Sequence, residues 1–517
     1  MWDQKERLLA GMFVAQLVAA TILGLVLVSA LGGGDPEFLP VRAVGSRTTD
    51  GDGGAPPRRT APGGATTGAA GGTTSPGTTT TSGGGLTTAP GTGADGDGGA
   101  VPGADVPGAA DPGAEPGTAP GDQPASEAPA PSAPGNRPAD EDRTGITADT
   151  VKIGVLVTQT GAINFRSSAQ ATKAYVDMIN EQGGVNGRRI EVVLRDDGLD
   201  ENKGRQAIEE MINAGVFSFV AFNAPLSEQS VLPVLERHNI PLVGAFAIPA
   251  HPLGWIFSGP YETYGKVGGQ VLCEQGVTKP GLIYLSNESE DTDFVIRESW
   301  RLGLKETCGI DLDPANVFSV DVTNPDYTNI VTSLRFAGVD GIGTILEATN
   351  MIRLQQAMNR QAYKPIHVAS PFGGDPAVIK DPNVGPSFEG ISVLSDVEFL
   401  GSSVPMIQQY EQQVTRRFGG QAELNWAGQH GWLGTHVFVE VLRALGADPT
   451  REALIEAVNS LTDFATGMTV PLTITPDPNT HVRNNQCMKV GKVVGGKVQQ
   501  THDWTCPPLT IDRGGAA

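Results

Sequence analysis

The stretch from Val151 to Gly244 limits what this chain can fold into more than any other part of it, because its apolar pattern switches repeatedly between two periods. It opens with VKIGVLVTQTG, an apolar run broken by Thr158-Gln159-Thr160-Gly161. Helical spacing follows over Gln170 to Gln182, with Ala171, Ala174, Tyr175, Met178 and Ile179 on one face. Gly183-Gly184 ends that helix, and Asn186-Gly187 turns the chain into a second strand, Arg189 to Leu194. Asp196-Asp197-Gly198 leads to a helix over Asn202 to Ala214, then to a strand over Phe217 to Phe222, a further helix, and a strand over Pro241 to Ala245. Strands and helices in strict alternation predict a parallel sheet covered by helices. Ligands of such sheets bind at the carboxyl ends of the strands, which here are the loops 158–166, 223–230 and 245–250.

The run INEQGGVNGRRIEVVLRDDGLDENKGRQAIEEMI resembles the first lobe of the leucine/isoleucine/valine-binding proteins, type I periplasmic solute-binding proteins that feed ABC importers. Turn, strand, Asp196-Asp197 and helix in that order carry the resemblance, which spans Ile146 to Pro508. It implies an α/β fold of two lobes, each a parallel sheet flanked by helices, with three crossovers acting as a hinge. A second series fits this expectation. Helices are expected over Lys266–Gln275, Phe294–Thr307, Tyr327–Ala337 and Asn350–Gln361, and strands over Gly281–Ser286, Val317–Val320, Gly341–Leu346 and Ile366–Ala369. Phe388 to Val393 reads as the return crossing, Trp426–Leu445 and Arg451–Ser460 as helices of lobe one, and Pro471–Thr475 as the third crossing. A hairpin over Met488–Trp504, turned at Gly495-Gly496, closes the fold. Lobe one is thus expected over 146–261 and 392–470, lobe two over 262–391 and 471–508, with a tail at 509–517.

Upstream of the alternating region, residues 8–31 carry no charge and are long enough to cross a bilayer. They read as a transmembrane anchor, with 1–7 cytoplasmic and the folded part outside; Val28-Ser29-Ala30 keeps a cleaved signal peptide as the alternative. No cysteine precedes Cys273, which closes the lipid-anchor route used by many of these proteins. Residues 32–145 are rich in Gly, Pro, Thr, Ser and Ala and read as a disordered linker, on the order of 60 Å across as a flexible coil. A tether through a cell-wall layer and an unconstrained spacer fit that composition equally.

The formal net charge is −21 and no basic stripe is present, so nucleic acid is not an expected partner. Four cysteines in an exported chain point to two disulfides. Three pairings exist. Cys487 and Cys506 flank the expected hairpin, and Cys273 and Cys308 end successive helices, so the expected pairs are Cys273–Cys308 and Cys487–Cys506. Metal-ligand spacing, the P-loop, Gly-x-Ser-x-Gly and His-Glu-x-x-His are all absent from the sequence, so neither an enzyme nor a cofactor is expected.

Candidate ligand contacts rest on position within the resemblance. In that family two loops of lobe one hold an amino-acid carboxylate with hydroxyls and backbone groups. Ser227, followed by Glu228, Gln229 and Ser230, falls in the first loop at a helix N-terminus, where free N–H groups favour an anion; capping the helix is the other role open to it. Ala245, Phe246 and Ala247 form the second loop, and Ile248 stands where a hydroxyl residue is expected, removing one carboxylate contact. Phe165, with Arg166, takes the place of an aromatic after the first strand. In lobe two, Asp293 and Asp375 are candidates to hold an ammonium, though an Asp placed like Asp375, before Pro376 and a helix, is more often a helix cap. Glu347, Phe372, Trp426 and Gln429 complete the expected lining, the last two at the start of the long helix where a core role is the alternative. The resulting expectation is a solute-binding protein that closes on a small polar organic molecule, such as an amino acid or amide, and delivers it to an ABC permease. A sensor, or a wall-associated scaffold that kept the fold without the pocket, is the alternative.

Overall fold

The computed structural model describes residues 143–286 and 290–511; the apolar segment 8–31 and the linker as far as residue 142 lie outside the described residues. Among the described residues no helix is long and apolar enough to cross a membrane.

The first lobe begins with β1 (Thr150–Leu156), α1 (Arg166–Glu181), β2 (Arg189–Arg195), α2 (Glu201–Asn213), β3 (Ser218–Phe222), α3 (Glu228–His238), β4 (Leu242–Ala245) and β5 (Gly254–Ile256). The strands form one parallel sheet in the order β2-β1-β3-β4-β5. Every residue of β3 is buried, as a strand covered on both faces requires. One face carries α2 and α3, with Ile208 of α2 packed on Phe219 and Phe222; the other carries α1 and helices from later in the chain over Ile153, Val155 and Val243.

The second lobe contains α4 (Tyr261–Glu274), β6 (Pro280–Leu285), α5 (Glu290–Cys308), β7 (Val317–Val320), α6 (Thr328–Ala337), β8 (Gly341–Ile345), α7 (Ala348–Arg360), β9 (Ile366–Ala369), the single turn α8 (Pro376–Ile379) and β10 (Ser392–Ser395). The chain then returns to lobe one as α9 (Pro405–Phe418), α10 (Trp426–Leu445), α11 (Arg451–Val458) and the short α12 (Pro478–His481). It ends in lobe two as the hairpin β11 (Met488–Val494) and β12 (Lys497–Thr505). The second sheet runs β12-β11-β10-β9-β8-β6-β7, parallel from β7 to β10 and antiparallel through the hairpin.

Two boundaries differ from the sequence reading. Ser392–Ser395 is not lobe one: it pairs with β9 on one side and β11 on the other, so the return crossing falls after it, at Asp396. Residues 471–475 are not the third crossing either. Ile474 packs in the first lobe's core, His481 Nδ1 bonds the His251 carbonyl at 2.8 Å, and Val482 packs with Phe222 and Ile256; the chain crosses only over the residues just before β11. Apolar residues such as Leu394 and Ile474 mark a core but not which of two cores.

Helices α4 and α5 press together through glycines. A Cβ on Gly268 would lie 2.3 Å from the Trp300 indole, and one on Gly269 2.6 Å from the Leu304 amide. The disulfide Cys273–Cys308 joins the carboxyl ends of these two helices, with Cα atoms 5.9 Å apart. The second disulfide, Cys487–Cys506, brackets the hairpin at a Cα separation of 4.2 Å.

Candidate functional site

The strand orders place a switch point in each sheet. In the first, β1 sends its connections to opposite sides between β2 and β3; in the second, β6 lies between β7 and β8. At such points the loops diverge and leave a crevice at the strands' carboxyl ends. The two crevices face each other across one cleft of about 460 Å³. Lobe one lines it with Ile163 and Phe165 after β1, Leu226, Glu228 and Gln229 after β3, and Phe246, Ala247 and Ile248 after β4. Lobe two adds Leu285 at the end of β6 and Ser286 after it, Val322 after β7, Leu346 and Glu347 after β8, and Phe372 after β9.

Four aromatic rings drawn from both lobes wall one side. Phe165 lies 5.3 Å from Phe246 and 6.3 Å from Phe372, centroid to centroid, and Trp426 meets Phe246 at 5.3 Å and Phe372 at 5.2 Å, edge to face in both cases. Such rings offer a large apolar contact area in favoured geometries. Of the residues expected from sequence, Phe165, Gln229, Phe246, Ala247, Glu347, Phe372 and Trp426 come together here.

The others do not line the cleft. Ser227 is fully buried and its hydroxyl donates to Asp197 Oδ2 at 2.8 Å, so it neither caps α3 nor faces the cleft. Asp197 also accepts from Thr158 Oγ1 and from the Leu199 amide, tying together the loops after β1, β2 and β3. Ser230 donates to Glu201 Oε1 on α2. Ala245 is part of β4, paired with Phe222 and Ile256. Asp375 caps α8 through the Ala377 amide at 2.8 Å, and burial pushes its carboxyl up to about 6. Asp293 lies in the first turns of α5, next to the cleft-lining Asp291 and Thr292, and accepts from the Tyr284 hydroxyl at 3.5 Å. Gln429 points to the second crossing, where its Nε2 donates to the Glu398 carbonyl at 2.6 Å.

Two features had no visible signal in the sequence. The first is Glu228, the opening residue of α3, which is 8 % exposed and lines the cleft. Its Oε1 accepts the Ala247 amide at 3.1 Å. Burial, with the Asp197 charge adding to it, holds its carboxyl well above the ordinary glutamate range. Glu347 differs in kind: burial raises it as well, but the Thr349 and Asn350 amides at the start of α7 satisfy its oxygens. The second is Asp396, fully buried behind the cleft wall. It accepts from Trp426 Nε1 at 2.5 Å, the Tyr264 hydroxyl at 2.9 Å and the Gly259 amide at 2.6 Å, and His430 Nε2 lies at 3.2 Å. Trp426, Tyr264 and Gly259 all line the cleft. Burial works against the Asp396 charge, but His430 and these donors outweigh it and hold the carboxyl below its usual range.

Among the described residues no Lys, Arg or His lines the cleft, and no cluster able to hold a metal is present. Two α/β lobes joined by three crossings around an apolar cleft define the fold class. Residues 150–497 match the model of the family described as periplasmic binding protein, and the chain belongs to that family. The leucine-, isoleucine-, valine-, threonine- and alanine-binding protein of Pseudomonas aeruginosa is 25% identical over 202 residues, covering 38% of this chain but only 53% of that protein. Leu/Ile/Val-binding protein homolog 7 of Brucella abortus is 25% identical over 346 residues, covering 62% of this chain and 83% of the relative. Among solved structures, the fatty acid ABC transporter substrate-binding protein from Thermomonospora curvata superposes with a TM-score of 0.60 at 20% identity, over 70% of this chain and 94% of that one, a likeness of fold.

Proposed function

We propose that the protein captures a small organic solute with a mainly apolar body on the outer side of a membrane and passes it to an ABC importer. The single observation that carries this reading is the cleft itself, 460 Å³ in volume, at the carboxyl ends of both sheets and walled by Phe165, Phe246, Phe372 and Trp426. A volume of this size is in the range of small-molecule sites, and apolar walls with few polar groups are their usual make-up. The names of the relatives, binders of branched-chain amino acids and of a fatty acid, support a solute of apolar body. The cleft as built favours such a body over the plain polar amino acid or amide expected from sequence, since neither Ser227 nor Ile248 offers a hydroxyl to a carboxylate. The two disulfides support an extracytoplasmic location, and residues 8–31 as membrane anchor remain part of the proposal.

The test is a thermal-shift and calorimetric screen of the purified protein against branched-chain amino acids, fatty acids, and aryl or alkyl compounds with acid, amide, alcohol and amine heads. A true ligand at about a hundred times its Kd adds roughly 2.7 kcal/mol to stability. Trp426→Ala is expected to weaken that ligand at least tenfold. If no compound shifts the melting temperature, the scaffold alternative displaces solute capture.

A further inference from the structure

We propose that the head group held in this cleft is a hydrogen-bond-donating cation, so that the solute is an apolar primary amine and Glu228 with Tyr261 is the subsite that receives it. This rests on the cleft being the solute site and adds the class of solute.

The geometry is a polar corner in an apolar cavity. Glu228 is buried beyond nine-tenths, yet of its two carboxyl oxygens only Oε1 has a partner among the described residues, the Ala247 amide. The Oε2 atom is left without one, and Glu228 lines the cleft. An unpartnered carboxylate oxygen at the wall of the cleft is a ready acceptor for a donor on the ligand. Tyr261, the first residue of α4 across the cleft, lines the same cavity, and its hydroxyl likewise has no partner among the described residues. Glu228 is close enough for its charge to act on that phenol, which burial already holds above the ordinary tyrosine range.

Charge then selects between donors. The titratable groups among the described residues that line the cleft are Glu228, Asp291, Glu347, Tyr261 and Tyr264; none can carry a positive charge. Asp197, behind Glu228, adds a further negative charge, and no cation is among the influences on Glu228 or Glu347. A ligand carboxylate would enter a desolvated space with acids on both lobes and no opposite charge, which is strongly unfavourable. An ammonium meets the reverse situation: it donates to Glu228 Oε2 and to the Tyr261 oxygen, and its charge favours the ionised form of Glu228 that burial alone disfavours. The body of the solute lies along the rings of Phe165, Phe246, Phe372 and Trp426.

The experiment uses one apolar body with three heads: 3-phenylpropylamine, 3-phenylpropanol and 3-phenylpropanoic acid, titrated calorimetrically into the purified protein at pH 7.5. The amine is expected to bind at least tenfold more tightly than the alcohol and the acid. Glu228→Gln is expected to weaken the amine at least tenfold and the alcohol less than threefold. Tyr261→Phe, which removes only a hydroxyl, should weaken the amine about threefold and keeps the test open if Glu228→Gln does not fold. Equal or tighter binding of the acid or the alcohol would overturn the amine assignment and leave solute capture standing. So would an amine affinity unchanged in both variants. If none of the three heads binds, the amine assignment falls; if the wider screen also yields no ligand, solute capture falls with it.

Discussion

Ser227 and Glu228 are neighbours in sequence with opposite fates in the fold. Ser227 begins a helix at a loop where a ligand is expected, yet its hydroxyl turns inward to Asp197, whereas the buried acid beside it opens to the cleft. Ser227→Ala is therefore expected to leave the affinity for any cleft ligand within twofold, and to lower unfolding stability by about 1.5–3 kcal/mol by removing one buried hydrogen bond to a carboxylate. Titration of the variant beside a urea melt separates the two effects; a tenfold loss of affinity with unchanged stability would return Ser227 to the site. The rings at Phe165, Phe246, Phe372 and Trp426 were legible because each stands at a strand's carboxyl end or a helix start. The inward turn of Ser227 was not, because it depends on Asp197, thirty residues away in sequence, folding back under the loop.

Elements were easier to read than their assignment to a lobe. The alternating periods mark β1 to β4 and β6 to β9 within a residue or two, since each strand is an apolar run bounded by turn residues. What the periods do not encode is which sheet a short apolar run joins, and so β10 and the residues before β11 were placed in the wrong lobes. Close approach between helices leaves a trace only as glycine. The seam of α4 and α5 shows this, with Gly265, Gly268 and Gly269 on one helix facing Ser299, Trp300 and Gly303 on the other. The three atoms nearest a methyl group on Gly268 all belong to the fully buried Trp300 ring, so Gly268→Ala is expected to cost about 1–3 kcal/mol through overpacking. Gly420→Ala, where a Cβ meets nothing within 4 Å, serves as control and should stay within about 0.5 kcal/mol of the wild type. Denaturant melts of both decide it; equal stabilities would mean that the seam gives way at no cost.

For the molecule as a whole, the proposed solute capture requires the cleft to communicate with the three crossings between lobes. Asp396 stands where these meet. It begins the second crossing, its side chain accepts the amide of Gly259 on the first, and its carbonyl accepts from Asn485 Nδ2, which on the third crossing also bonds the Phe257 carbonyl. Through Trp426 and Tyr264 the same carboxylate holds two walls of the cleft. On the proposed reading, a solute that presses on Trp426 would act on the group that links the crossings, and lobe closure needs only small changes at such positions. Asp396→Asn puts an amide hydrogen where a donor already points, so one of Trp426, Tyr264 or Gly259 loses its acceptor. The expected cost is about 2–4 kcal/mol of stability. Amide exchange at Gly259, and in the residues that lead into α4 and β11, should quicken more than in the core strands β3 and β8. Trp426→Phe removes one donor and keeps a ring, and combined with Asp396→Asn its destabilisation should be at least 1 kcal/mol smaller than in the wild type, because the bond it deletes is already disturbed. Additive losses, together with exchange that rises uniformly over both lobes, would reduce Asp396 to a packing group and leave the cleft and the hinge uncoupled.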